Sequence, residues 1–146
     1  MMNLKMLMSG MLGMMLAISS AEAGGCGAET PKNIVIMVTE GSIVKAGFGL
    51  AVANAMQDAG VQSNVFIAAD AVNFALNKGN QPKFAGSTPK ELITGLIRKG
   101  GHVKICEGFV KLGGIKPSDM VEGVEVAAPA DLAGALYAPN TQSMTF

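Results

Sequence analysis

Two cysteines and a single histidine are the residues of this sequence best suited to chemistry, and Cys106 is the strongest candidate. It follows a strand-like run, His102 to Ile105, and precedes a short predicted helix, Glu107 to Leu112. Its sulfur can therefore approach unpaired amides at the positive end of a helix dipole, which favours the nucleophilic thiolate. Free cysteine is also among the most buried residue types, so a packing role stays open from position alone.

The groups near Cys106 in the sequence are weaker candidates. His102 lies four residues away on the same strand, about 13 Å at about 3.3 Å per residue, so the two cannot form a dyad within one chain. Lys104 shares a strand face with Cys106, where it either supports a thiolate or is simply a solvated lysine. One histidine and two cysteines do not supply the three or four clustered ligands of an ordinary metal site, so neither a metal nor another cofactor is expected.

A loop of small and polar residues follows the first predicted strand and precedes the first long helix. The start of a helix can cradle an anion, but this loop has no recognised phosphate-loop pattern, so a capped turn is the alternative. The predicted binding crevice around Cys106 is lined by Thr39, Glu40, Gly41, Ser42, Glu107 and Gly108.

The amino terminus predicts export. A short basic region, Met1 to Lys5, precedes an apolar run, Met6 to Ile18, and a small-x-small pattern at residues 21–23. We expect residues 1–23 to be a signal peptide cleaved after Ala23, residues 24–32 to be flexible and the protein to be periplasmic. A lipid anchor on Cys26 is the weaker alternative, because Ala23 stands where a branched aliphatic residue is usual.

Composition bounds the remaining possibilities. Eleven basic and eleven acidic residues cancel, so the formal charge of zero gives no electrostatic footprint for nucleic acid. Seven of the eleven methionines fall within the first fifteen positions, so much of the hydrophobicity belongs to the leader. Residues 33–146 are then of a length typical of one domain.

Apolar runs separated by Gly, Pro and Asn predict alternating strands and helices. Strands are expected over 34–38, 61–68, 102–105, 124–127 and 142–146, and helices over 44–59, 71–76, 89–99, 107–112 and 130–137. Thr88 and Glu91 form a capping box before the third helix. The alternation predicts a three-layer α/β/α sandwich with a five-stranded parallel sheet in the order 2-1-3-4-5, whose crevice lies between strands one and three.

The residues also resemble the DsrE/DsrF-like family from residue 33 to residue 146. The likeness is carried by Val103-Lys104-Ile105-Cys106, Gly113-Gly114-Ile115, Asp119 to Val124 and a last strand ending in Phe146. It implies the same parallel sheet, assembly into trimers or hexamers, and a role in sulfur handling. In sulfur-relay members a cysteine after the third strand carries a persulfide, and Cys106 stands at that position. Some relatives have a second cysteine where this chain has Phe109, so no local redox pair is expected.

Three functions follow as hypotheses. The first is a periplasmic sulfur-carrier or persulfide-transfer protein, sulfurtransferase-like in its chemistry, that uses Cys106 with a donor or acceptor protein or a small sulfur compound. The second is a non-enzymatic oligomeric module that binds a small ligand in the crevice. The third is a thiol-disulfide protein that pairs Cys26 with Cys106, in a compartment where thiols tend to become oxidised.

Overall fold

A computed structural model describes residues 32–146, so the predicted signal peptide, its cleavage site and Cys26 lie outside the described residues. The strands are β1 (Asn33–Val38), β2 (Gln62–Ile67), β3 (His102–Cys106), β4 (Glu125–Ala127) and β5 (Thr141–Thr145). The helices are α1 (Ile43–Asp58), α2 (Pro89–Arg98), α3 (Glu107–Leu112) and α4 (Pro129–Leu136). The predicted short helix over 71–76 is a 3-10 helix, Ala69–Ala75, and a second 3-10 turn spans Pro117–Asp119.

The strands form one parallel sheet, as predicted, in the order β4-β3-β2-β1-β5. β1 pairs with β2 on one side and with β5 on the other, and β2 pairs with β3. The α/β class and the five-stranded parallel sheet are therefore confirmed.

The order of the strands corrects the predicted order 2-1-3-4-5, because β2 lies between β1 and β3. The physical reason is that α1 and α2 pack together on one face of the sheet. Each crossover between parallel strands is right-handed, so successive steps in one direction across the sheet place their helices on the same face. The helices α1 and α2 do share a face, where Asn54 donates a hydrogen bond to the carbonyl of Leu92, 3.0 Å away. The predicted order would have placed them on opposite faces.

Alternation along the strands divides the apolar residues between two faces of the sheet. The larger core joins α1 and α2 to one face through Ile36, Val65, Ile105, Leu50 and Ile93. The connection from β4 to β5 runs in the opposite direction, and its helix α4 covers the other face. The two faces of the three-layer sandwich are therefore covered unequally, and the smaller core lies on the face that α4 covers.

Two helix starts show how local sequence sets the elements. The Thr88 hydroxyl accepts a hydrogen bond from the Glu91 amide, and the Glu91 carboxylate accepts one from the Thr88 amide at 2.7 Å, which confirms the capping box. These bonds from the Thr88 backbone and side chain lower the pKa of Glu91. Ser42, by contrast, precedes α1 without a side-chain capping bond. None of the helices within residues 32–146 has the length and apolar character needed to cross a membrane.

Candidate functional site

Cys106 is the last residue of β3 and directly precedes α3, as the sequence predicts. Its backbone is still extended, with φ −63° and ψ 127°, so the chain turns into α3 only after it. The residue is partly buried and its thiol is free. The sulfur is therefore held by a rigid strand end yet retains some access to solvent.

The register of β3 decides which face of the sheet carries the thiol. Cys106 is paired with Ala127 and Lys104 with Glu125, so Lys104 and Cys106 point to the same face, opposite to Ile105. Ile105 belongs to the larger core, whereas Ala127 belongs to the smaller core under α4. Cys106 thus lies on the thinly covered face, at the carboxyl end of the sheet.

An apolar cavity of about 140 Å³ opens beside Cys106. It lies between the carboxyl ends of the central strands and the beginning of α4, which contributes Leu132. Besides Cys106, the residues that line it are all apolar: Met37, Phe66, Ala68, Ala127, Ala128, Pro129 and Leu132. This cavity, defined by these eight residues, is called the thiol cavity below.

The charged residues near Cys106 do not line the thiol cavity. The Lys104 ammonium lies 5.8 Å from the centre of the Phe66 ring and 3.9 Å from the Glu125 carboxylate. Its charge is therefore shared with an aromatic face and an acidic partner rather than committed to the sulfur. Glu107, which follows Cys106, forms an ion pair with Lys111 one turn along α3. The Glu107 carboxylate is thus drawn toward Lys111.

The expected contact between the sulfur and the start of α3 is not formed. Cys106 occupies the capping position, but its side chain accepts no hydrogen bond from the helix amides. The helix that follows has only six residues, so its dipole is short. Stabilisation of a thiolate by these amides, which the sequence predicts, is therefore absent from the observed geometry.

The loop predicted to face Cys106 lies elsewhere, because β2 separates β1 from β3. Thr39 is bound to the end of the chain through its amide and its hydroxyl, which donate to the Phe146 carbonyl at 2.8 and 3.2 Å. Glu40 pairs with Lys45 at 2.6 Å, and Gly41 sits close to Asp70. None of Thr39, Glu40, Gly41, Ser42, Glu107 and Gly108 lines the thiol cavity.

His102 is exposed at the beginning of β3, four residues before Cys106, in keeping with the inference that the two form no dyad. Across residues 32–146, no three side chains of His, Cys, Asp or Glu gather in a way that could hold a metal ion.

The residues that surround Cys106 come from separate parts of the chain and were not found by sequence reasoning. Met37 and Phe66 are paired neighbours on β1 and β2, and Leu132 approaches them from α4. A weak signal was present, since Lys104 and Cys106 alternate with the core residues Val103 and Ile105. That alternation predicts that Cys106 lies on the face of the sheet opposite to Val103 and Ile105, but it does not predict which residues contact Cys106 there.

Comparisons with known proteins agree with this architecture. A search of curated proteins finds no match. Among solved structures, the YchN protein of E. coli superposes with a TM-score of 0.68 at 24% identity, covering 79% of this chain and 99% of that one.

Two proteins described as being of unknown function are also similar. MTH1491 from Methanobacterium thermoautotrophicum has a TM-score of 0.62 at 17% identity and covers 78% of this chain and 98% of its own. BT1422 from Bacteroides thetaiotaomicron has a TM-score of 0.63 at 11% identity, over 79% of this chain and 95% of its own. These likenesses show a shared fold.

The family assignment comes from the sequence. The family model described as DsrE/DsrF-like matches residues 32–138, which begin at the first strand and include α4. The match therefore spans β1 to β4, the cysteine at the end of β3 and all eight residues of the thiol cavity. This chain belongs to the DsrE/DsrF-like family.

Proposed function

We propose that this protein is a sulfur carrier in which Cys106 accepts sulfane sulfur and holds it as a persulfide. The observation that carries the proposal is the position of a free, partly buried thiol at the carboxyl end of β3, beside a cavity. Family membership supports it, because sulfur relay is a function associated with this fold. A carrier needs one reactive thiol and a place for a donor, and the free Cys106 thiol beside the thiol cavity supports the proposal on both counts.

The chemistry requires only a thiolate and a donor persulfide. The Cys106 thiolate attacks the outer sulfur of R–S–SH, so a new S–S bond forms at Sγ while the donor S–S bond breaks. The donor leaves as R–S⁻ and the persulfide remains on the protein, with no external oxidant or reductant consumed. Transfer to an acceptor thiol is the same exchange in reverse.

Partial burial suits such a carrier. A persulfide is reactive toward other thiols, so a fully exposed one would be lost to small thiols, whereas a fully buried one could not meet a partner. Cys106 lies between these extremes, with Leu132 and Pro129 of α4 on one side of the cavity. The expected result is a persulfide that survives isolation but transfers to a suitable acceptor.

Intact-mass analysis after incubation with a sulfane-sulfur donor tests the proposal. The wild-type chain should gain one sulfur atom, and peptide mapping should locate it at Cys106. The Cys106→Ser variant is the matched control and should gain none. A wild-type chain that gains no sulfur but binds a small molecule would instead support the non-enzymatic binding module.

A thiol-disulfide protein is the second candidate, and the sheet register bears on it. Asn33 on β1 is paired with Gln62 on β2, and Phe66, four residues further along β2, is paired with Lys104 on β3. Cys106 lies two residues beyond Lys104. Asn33 and Cys106 are therefore separated by about 20 Å along the strands and by two strand spacings across the sheet. The diagonal is about 22 Å, and the seven residues from Cys26 to Asn33 span at most about 25 Å. The two Cα atoms of a disulfide lie about 6 Å apart, so the segment needs to span only about 16 Å, and a bond between Cys26 and Cys106 within one chain is within reach.

We also propose that the protein works as a homo-oligomer, a trimer or hexamer. Val44 and Phe48 lie one turn apart on α1 and are 65% and 51% exposed, and Met144 on the edge strand β5 is 42% exposed. The Phe48 ring contacts Phe146 with centroids 5.5 Å apart, so the apolar surface extends from α1 to the end of the chain. Light scattering coupled to size-exclusion chromatography should give three or six chains per particle, and a strict monomer would contradict this.

Periplasmic location is a further part of the proposal and rests on the amino-terminal pattern alone. The mature chain is expected to begin at Gly24, which leaves Cys26 near its start. Amino-terminal sequencing of protein from the periplasmic fraction would test both points. A chain that retains Met1 in the cytoplasm would contradict them.

A further inference from the structure

The size and lining of the thiol cavity carry an inference about the sulfur donor. Its volume is about 140 Å³, and Cys106 is the only residue lining it whose side chain ionises. An engineered protein cavity of about 150 Å³ with a Leu, Ile and Phe lining stays dry and binds benzene. The thiol cavity is therefore of a size for one aromatic ring or a short alkyl chain next to the sulfur.

The cavity walls come from rigid parts of the fold. Phe66 and Ala127 are 5% and 2% exposed and lie on strands, and Pro129 begins α4. The Asp131 carboxylate accepts a hydrogen bond from the Ala128 amide at 2.7 Å, which fixes the start of α4 beside Cys106. A preformed wall of this kind selects ligands by their shape. Little conformational entropy is lost when a ligand enters, because the wall is already ordered.

The apolar lining of the thiol cavity disfavours an anionic occupant. An ionic group placed among Met37, Phe66 and Leu132 would lose water without gaining a partner, which is costly. The nearby cation, Lys104, is already placed over the Phe66 ring and near Glu125. An apolar group, by contrast, gains free energy for each methylene that it buries.

We propose that the sulfur donor or acceptor of Cys106 carries a small apolar organic group, alkyl or aryl, which occupies the thiol cavity during transfer. This inference rests on the proposed function, since it names the substrate class for the same thiol. In the reaction, Cys106–S⁻ attacks the outer sulfur of R–S–SH, and R–S⁻ leaves with R in the cavity. Charged donors of similar reactivity are accepted more slowly.

A series of thiosulfonates, R–SO₂–S⁻, provides the probe. Attack by Cys106 transfers the outer sulfur and releases the sulfinate R–SO₂⁻, and thiosulfate is the reference in which an oxide replaces R. Each rate at Cys106 is divided by the rate of free cysteine with the same reagent, which removes differences in intrinsic reactivity. From methane- to ethane- to propanethiosulfonate this ratio should rise about four-fold for each methylene until the cavity is full.

Variants of the cavity wall make the test specific. Ala68→Val fits the extended backbone at this position (φ −143°, ψ 173°) and fills part of the cavity, so it should flatten the preference for longer groups. Leu132→Ala enlarges the cavity and should move the preference toward benzene- or butanethiosulfonate. Ala133→Val is the control, because Ala133 is the exposed neighbour of Leu132 on α4 and does not line the cavity.

The outcomes separate the two proposals. If Cys106 gains sulfur but the rate ratio is the same for all thiosulfonates, or is highest for thiosulfate, the proposal of an apolar donor is wrong. The proposal that Cys106 carries sulfur would still hold. If no reagent adds sulfur to Cys106, the carrier itself is wrong and the donor class falls with it. A preference that Ala68→Val and Leu132→Ala shift in opposite directions, while Ala133→Val does not, would support the inference.

Discussion

Replacement of Gly47 by alanine is expected to destabilise the protein, although alanine is the better helix former. Gly47 is buried in α1 and faces Phe84. A β-carbon at this position would overlap Cβ of Phe84 and lie 2.5 Å from its Cγ, well inside van der Waals contact. Relief requires the Phe84 backbone to move, since a Cβ atom cannot turn away by rotating its own side chain.

The size of the effect follows from two opposing terms. Alanine in place of glycine within a helix contributes about 1 kcal/mol of stability, whereas overpacking a buried site costs about 1–3 kcal/mol. The Phe84 backbone is held by a reciprocal pair of hydrogen bonds with Ser87, at 2.8 and 3.0 Å, so the loop resists the shift. The cost should therefore lie in the upper part of its range, for a net loss of about 1–2 kcal/mol.

Chemical denaturation of Gly47→Ala and Gly134→Ala tests this reasoning. Gly134 lies within α4, and a β-carbon there would meet no atom within 4 Å, so the same substitution should stabilise by about 0.5–1 kcal/mol. The two variants should thus differ by about 1.5–3 kcal/mol with opposite signs. If Gly47→Ala is as stabilising as Gly134→Ala, the contact with Phe84 is not as close as described.

Two further predictions concern the capping box and the second thiol. Because the bonds from Thr88 lower the pKa of Glu91, ionised Glu91 stabilises the fold above its unfolded pKa of about 4.3, and this contribution is lost as pH falls through the lowered value. The difference in unfolding free energy between wild type and Glu91→Gln should therefore shrink on acidification below about pH 5, and a difference independent of pH would contradict this. Cys26→Ser should gain sulfur at Cys106 as the wild type does, measured by intact mass, whereas a gain in Cys26→Ser that the wild type lacks would favour the pairing of Cys26 with Cys106.

Much of the fold could be predicted because local signals were strong. The capping box at Thr88 and Glu91 and the continuous apolar run of β1 each identify an element without knowledge of its partners. The same holds for Cys106, since a strand followed by a helix at Glu107 fixes its place at the end of β3. These features depend on neighbours in sequence.

The strand order could not be read from the same signals. Sequence periodicity indicates that α1 has an apolar face, but not whether α2 lies beside it or across the sheet. The deciding contacts are specific and long-range, such as the bonds from Asn54 to Leu92 and from Gln57 to the Lys99 carbonyl at 3.0 Å. Gly47 and Gly49 of α1 lie instead against Phe84 and Phe146, so they allow other segments to approach α1 closely.

The error in strand order also displaced the predicted crevice. With β2 between β1 and β3, the loop from Thr39 to Ser42 and the thiol of Cys106 do not line a common cavity. The neighbours of Cys106 are instead Phe66 on the adjacent strand and Leu132 on α4. Their roles depend on which helix covers the second face, which the handedness of the last crossover decides.

The central claim is that Cys106 carries sulfane sulfur, and cyanolysis of the donor-treated protein tests it most directly. Cyanide removes the outer sulfur of a persulfide as thiocyanate and restores the thiol. The wild-type protein, freed of excess donor, should release one thiocyanate per chain and lose the added sulfur at Cys106, while Cys106→Ser releases none. Equal release from both proteins, or none from either, would contradict the account.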